Sequence, residues 1–382
     1  MNQPIMNKML LRKNKEIKKA WKSAKKHYVR RDRGGLKLKG VLLKVVQTFP
    51  GQEEPVNMVS DSNQAAGIAS VTKENLIEAV KAVQLNGMSG NGFPVAQKLE
   101  AFANAGSKHK ILLINAVECD PGLLHDEWLV HSHLEEINQG ILAIREAFGI
   151  ERSILALKAV RNVSEESNGI TLTAEVEICP VAARYPAGEE HFLIHSALGI
   201  ELSESELPTN QGILVMNVQT VWQIGRIVKG TFDGGRYISA ADVQNGIAKP
   251  VYVGHDTKIT EVLQKAFGVK SAQEYKCYAG GGIMAAHEAD FQETCTDQIS
   301  FIAYIPVGFT EVLSNQNRCK GCGACSHKCP AGIDVRQIVS LLEQDPNADI
   351  RMYHPENCLH CGSCTWYCHG NKTPELYFRQ DI

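Results

Sequence analysis

Long apolar runs are missing from this 382-residue chain. No stretch approaches the roughly 18 uncharged apolar residues that a membrane-spanning helix needs, which excludes such a helix. The opening, MNQPIMNKMLLRKNKEIKKAW, has no apolar segment of secretory type, so no signal peptide is expected. Net charge is nearly absent too, at −2, yet the balance hides an asymmetry. Residues 1–39 hold 14 Lys/Arg against Glu16 and Asp32, whereas the remainder holds 26 against 40 acids. A basic arm therefore precedes an acidic body. Such an arm suits a membrane face, a phosphate-rich surface or an acidic protein, its own body included. Nucleic acid is not the expected partner. The expected location is cytoplasmic, or peripheral on the inner face of the cell membrane through the arm.

What is present is ordinary for a globular protein, with 44% apolar and 21% charged residues. The length suggests two or three domains. In the arm, Leu10, Asn14, Ile17, Trp21, Ala24 and Tyr28 recur at helical steps, and Gly34-Gly35 ends the pattern. A short strand-like stretch, 36–46, and a Gly/Ser/Asn/Gln-rich connector, 47–72, follow. Thr72 caps an expected helix over 73–85, which runs into the glycine-rich loop NGMSGNGFP, and a second helix starts near Val95. Residues 111–117, ILLINAV, read as a buried parallel strand. A helix over 134–148 and a strand over 153–160 continue an alternation that reaches about residue 230 and argues for an α/β core with a parallel sheet. Strands over 237–241, 250–253 and 300–306, with a helix over 259–267, make a smaller α+β module. His125, His131 and His133 read as surface histidines, and Cys119, Cys179, Cys277 and Cys295 as core thiols.

Eight of the 12 cysteines fall between Cys319 and Cys368. They form two motifs, Cys319-Lys-Gly-Cys322-Gly-Ala-Cys325-Ser-His-Lys-Cys329 and Cys358-Leu-His-Cys361-Gly-Ser-Cys364-Thr-Trp-Tyr-Cys368. Each has C-x2-C-x2-C-x3-C spacing. Three thiolates on a tight loop hold three irons of a cubane, and the fourth points toward the other cluster. The spacing thus assigns one 4Fe–4S cluster to Cys319, Cys322, Cys325 and Cys368, and the other to Cys358, Cys361, Cys364 and Cys329. Structural zinc, the rival, prefers two well-separated pairs in a set of four and fits this spacing poorly.

Within the core, Gly90-Asn-Gly92-Phe93-Pro94-Val-Ala-Gln-Lys98 resembles the glycine-rich loop of the NADH-binding flavoprotein subunit of respiratory complex I, and still more that of RnfC, the electron-input subunit of the Rnf complex. Asn115-Ala-Val-Glu118-Cys119-Asp120-Pro121, Tyr185-Pro-Ala-Gly188-Glu189-Glu190 and the stretch from Leu207 through Gly212 and Asn217 to Thr220 resemble further segments of that family, in order. Ser89 and Asn91 stand where the family has Gly and Ala. The resemblance covers roughly residues 73–370 and extends to a cobalamin reductase and a proline-reductase electron donor, both of which couple NADH to a dedicated soluble partner.

The resemblance implies a Rossmann-like core that binds FMN and NADH (73–233), a β-grasp (SLBB) module (234–310) and a ferredoxin-like domain with two 4Fe–4S clusters (311–382), behind the arm (1–35) and the connector (36–72). It implies that Gly87, Gly90 and Gly92 receive the FMN phosphate and ribityl chain and that Lys98 supplies a positive charge. Asn115 and Asn217 would hydrogen-bond the flavin. Glu118, Asp120, Glu189 and Glu190, with Gly188 beside them, would face ribose hydroxyls or the nicotinamide. No residue is assigned a catalytic role of its own. Electrons would pass from NADH through FMN and the clusters to a protein acceptor or a partner reductase, including other subunits of an electron-transport complex. The alternative is a non-catalytic iron–sulfur adaptor with a degenerate flavin site.

Overall fold

The computed structural model describes residues 56–58, 67–88, 92–159, 176–182, 185–202, 206–269, 272–307, 317–358, 361–374 and 377. The basic arm, the expected strand over 36–46 and Gly90 with its neighbours Ser89 and Asn91 lie outside the described residues.

The core is built on four parallel strands, β2 (Ile111–Ala116), β3 (Arg152–Ala159), β4 (Val176–Ala182) and β5 (Ile213–Asn217), in the order β4-β3-β2-β5. β2 is central and buried on both faces, which explains its unbroken apolar sequence. Leu112 and Ile114 face a cluster formed with helices α1 (Lys73–Ala82), α2 (Val95–Asn104), α4 (Leu134–Phe148) and α6 (Val218–Lys229). Leu113 faces the opposite cluster, with Leu193 and Ile194 of α5 (Glu190–Leu198). α4 and α6 cross with backbones nearly touching: a Cβ on Gly140 would lie 2.0 Å from the Val221 carbonyl, and one on Gly225 2.0 Å from the Glu136 carbonyl.

The second sheet has six strands in the order β1-β7-β6-β10-β8-β9. They are β1 (Val56–Asn57), β6 (Arg236–Asp242), β7 (Ile247–Val253), β8 (Tyr275–Gly280), β9 (His287–Ala289) and β10 (Phe301–Pro306). β6 and β7 form an antiparallel hairpin, β10 runs parallel to β6, and α7 (Ile259–Phe267) covers one face through Val262 and Leu263. Val56 and Asn57 fall in the stretch that the sequence reads as a connector, yet they pair with β7.

A third, smaller unit carries the cysteine motifs. Short helices α8 (Ala324–Lys328) and α10 (Ser363–Trp366) each start after a left-handed glycine, Gly323 (φ 70°) and Gly362 (φ 76°), so the two motifs fold as a local repeat. Helix α9 (Val335–Gln344) closes its apolar core with Ile338 and Leu342. No helix among the described residues is long and apolar enough to cross a membrane.

Candidate functional site

The carboxyl ends of β2 and β5 bring two asparagines side by side, because Asn115 and Asn217 are register partners. This is the end of a parallel sheet at which ligands bind. Asn217 caps α6 by accepting from the Gln219 N–H at 2.8 Å, and its amide donates to Asp126 Oδ2 at 2.7 Å. Asn115 donates to the Gly188 carbonyl at 2.8 Å and accepts from the Val117 N–H at 3.0 Å. Gly188 is seated so closely that a Cβ there would lie 2.7 Å from the Val117 carbonyl. The Tyr185–Glu189 segment therefore lies directly on the end of β2.

The described ends of the glycine-rich loop sit at the same end of the sheet. Its neck is a pair of backbone bonds, Gly87 N–H to the Phe93 carbonyl and Val95 N–H to the Leu85 carbonyl. Two further bonds anchor it: Met88 N–H donates to Thr220 Oγ1 at 3.0 Å, and Asn86 donates to Asp297 at 2.7 Å. Gly92 adopts φ +61°. Pro94 precedes α2, and no side chain caps that helix. The Val95 N–H is spent on the Leu85 carbonyl, so an anion site here would rest on the next N–H groups of the first turn. One turn on, Lys98 pairs with Glu190 at 2.9 Å. Glu189 caps α5 through the His191 and Phe192 N–H groups, and the hydrogen bond it makes to the His191 ring raises that imidazole's pKa. Hydrogen bonds and register thus bring Gly87, Gly92, Lys98, Asn115, Gly188, Glu189, Glu190 and Asn217 to one end of the sheet. A glycine loop, an uncapped helix start and a lysine fit the phosphate of a flavin mononucleotide.

Glu118 and Asp120 turn into the protein interior. Glu118 is buried and accepts from the Asp126 and Glu127 N–H groups, capping α3 (His125–Ser132). Asp120 accepts from the N–H groups of Gly122, Ile283 and Met284, and so ties the end of β2 to the second sheet. Burial raises all three neighbouring acids: Glu118 well above the ordinary range, Asp120 to about 6 and Asp126 to about 7. His125 corrects the surface-histidine reading. It is 1% exposed, bonds Ser239 Oγ at 2.9 Å, and is pushed down to about 3 by burial and by Arg236, so it is neutral. Sequence alone does not single out Asp126 or Thr220. Asp126 becomes notable only once α3 folds against β5, whereas Thr220 closes the segment already matched by resemblance.

In the third unit, the thiol of Cys325 lies in the field of Cys368 and Cys319, and that of Cys329 in the field of Cys361. Burial raises both thiols, that of Cys329 to about 11. The fourth cysteine of each motif therefore approaches the other motif. Backbone N–H groups of Gly321 and Lys372 point at Cys319 Sγ (3.4 Å) and Cys368 Sγ (3.3 Å), as they do around cluster sulfurs. The eight cysteines are all free thiols, a donor set that suits iron–sulfur cubanes. Their environments differ: Cys329, Cys361 and Cys364 are buried, and Cys322 is exposed. The buried group packs with Phe192 of α5 and with Tyr185, and Ser363 Oγ reaches the Tyr185 carbonyl at 3.5 Å.

Residues 80–226 match the Nuo51 FMN-binding domain, and residues 311–369 match a 4Fe-4S dicluster domain. The cofactors of these two domains are FMN and two 4Fe–4S clusters. The chain is similar to the C subunit of the ion-translocating oxidoreductase complex of Buchnera aphidicola (23% identity, covering 81% of this chain and 65% of that protein). It is likewise similar to the corresponding proteins of Haemophilus influenzae strain PittEE (26%, covering 77% and 46%) and of Vibrio cholerae (26%, covering 70% and 34%). The chain thus spans between about a third and two thirds of the length of these relatives. Among solved structures, an NAD+-reducing NiFe hydrogenase in the H2-reduced state shares the fold, with a TM-score of 0.52 at 18% identity over 78% of this chain and 60% of that one.

Proposed function

Because this chain belongs to the RnfC-like electron-transport family, we propose that it is an oxidoreductase that accepts electrons from NADH at an FMN site and delivers them through two 4Fe–4S clusters to a protein acceptor. The observation that carries this reading is the Tyr185–Phe192 segment. One part of it lies on the end of β2, and Tyr185 and Phe192 pack against the buried cysteines. A single stretch of backbone thus joins the flavin site to the cluster unit.

In this reading Gly87, Gly90 and Gly92, the start of α2 and Lys98 hold the phosphate. Asn115, Gly188 and Asn217 line the flavin, and Glu189 and Glu190 face the dinucleotide. Glu118 and Asp120 act one layer back, fixing α3 and the strand end. When bound, FMN takes two electrons at once and releases them one at a time, which is the chemistry that two one-electron clusters require. Cys319, Cys322, Cys325 and Cys368 hold the outer cluster, and Cys358, Cys361, Cys364 and Cys329 the inner one. The strand order β7-β6-β10-β8, with the first and last strands parallel at the centre and α7 on one face, supports a β-grasp (SLBB) module over 234–310. The arm, 1–35, is read as the contact to a membrane face or to other subunits of a complex.

One observation favours the adaptor alternative: Lys98 is paired with Glu190, and both asparagine amides are bonded within the protein. Anaerobic purification, flavin extraction and NADH titration separate the two. The enzyme reading expects FMN near one per chain, about eight irons and cluster bleaching on NADH addition. Irons without flavin, even after FMN is supplied, and bleaching by dithionite alone would establish the adaptor.

A further inference from the structure

The loop of the outer cysteine set is exposed and positively charged, whereas the body of the chain is acidic on balance. Arg318, Lys320 and Cys322 are exposed, while Cys329, Cys361 and Cys364 of the inner region are buried. From Asn317 to Ile333 the sequence holds Arg318, Lys320 and Lys328 and no acid. Lys328 lies 5.1 Å from the Tyr367 ring centroid, which keeps its charge beside the same loop. The first acid beyond, Asp334, is engaged by the Ser326 hydroxyl at 2.7 Å and the Gln337 N–H. Arg336, near the start of α9, extends against Gly323.

We infer that this collar, Arg318 and Lys320 around the exposed Cys319–Cys322 loop, is the docking surface for a small acidic one-electron carrier protein. The inference rests on the electron-transfer reading and names the partner's chemistry and the place it occupies. The argument is one of charge complementarity. Beyond residue 39 the chain carries 26 Lys/Arg against 40 acids, so an acidic carrier is repelled by most of the body. A local basic collar on an acidic body attracts such a carrier at one place and suppresses wrong orientations elsewhere. Cys322, at the centre of the collar, is itself exposed. In the docked pair, the carrier gains one electron and this chain loses one; where the carrier is a flavoprotein, the proton its flavin takes up on reduction comes from solvent.

Binding of oxidised, acidic flavodoxin to the iron-loaded full-length protein tests the assignment, read by calorimetry at low and at about 0.3 M salt. The expected Kd rises about tenfold or more with salt, because exposed charges are screened. Arg318→Glu with Lys320→Glu should raise Kd by a similar factor at low salt while iron content holds, and should let cationic cytochrome c bind more tightly. Should the double variant lose iron, Arg318→Gln alone reads the same contact with a smaller loss of affinity. Unchanged binding in these variants, or binding lost only on removal of residues 1–35, would overturn the collar. Wild-type protein that takes up no iron would instead sink the electron-transfer reading beneath it.

Discussion

Asp126 illustrates how the fold sets a single side chain's chemistry. Burial raises it from the ordinary 3.8 to about 7, and the hydrogen bond from Asn217 only partly offsets this. The folded protein therefore binds this proton more tightly than the unfolded chain does. Between about pH 4 and pH 7 the folded state holds the extra proton, so stability from this group falls as pH rises through that window and then levels off. Asp126→Asn keeps an acceptor for Asn217 and removes the titration. Its melting temperature should exceed that of the wild type at pH 8, and the gap should close toward pH 5. An equal loss at every pH would mean that the carboxylate has a role an amide cannot take. Lys372 is the opposite case, a cation 1% exposed, held by the Asn317 carbonyl at 2.7 Å and Glu343 at 2.6 Å. Lys372→Met should leave that carbonyl unsatisfied, at about 1–3 kcal/mol, and should speed iron release to a chelator. At this scale the sequence is informative where a residue sits in a motif. The register that sets Asn115 beside Asn217 follows the motifs, whereas the burial of His125 depends on Ser239, more than a hundred positions away.

Elements built from local pattern are legible in the sequence, and those built from distant pairing are not. Thr72 caps α1 as its position suggests, accepting from the Asn75 N–H, and α7 spans the stretch that its apolar spacing marks. β1 is two residues long in polar surroundings and exists only because β7 offers an edge, so no periodicity announces it. β8 and β9 carry Tyr, Lys, Cys, His and Glu in no clean alternation and gain definition from β10. Two predictions belong to this scale. Gly225→Ala drives a methyl into the Glu136 carbonyl, so α4 and α6 must separate; overpacking of this kind costs about 1–3 kcal/mol, visible as a lower melting temperature with FMN and iron still bound. Gly188→Ala places its Cβ against the Val117 carbonyl and displaces the segment carrying Glu189 and Glu190. Its expected signature is FMN lost from the purified protein while the iron count holds. Retention of full FMN would move the flavin away from the end of β2.

On the scale of the whole molecule, one carboxylate has a consequence for how the protein comes apart. Asp120 receives N–H groups from its own turn and from Ile283 and Met284, and a Cβ on Gly282 would strike it at 2.4 Å. Gln219 grips Tyr237 from the other side, through the Tyr237 carbonyl at 3.1 Å and the Tyr237 N–H at 2.5 Å. Neither sheet can open at this seam without stranding buried donors of the other, and such donors are expensive to leave unpaired. The two sheets should therefore melt as one cooperative unit, with a single calorimetric transition whose calorimetric and van't Hoff enthalpies agree across both. Asp120→Ala should split that transition in two, with the six-stranded sheet and the flavin-site sheet each losing structure at its own temperature.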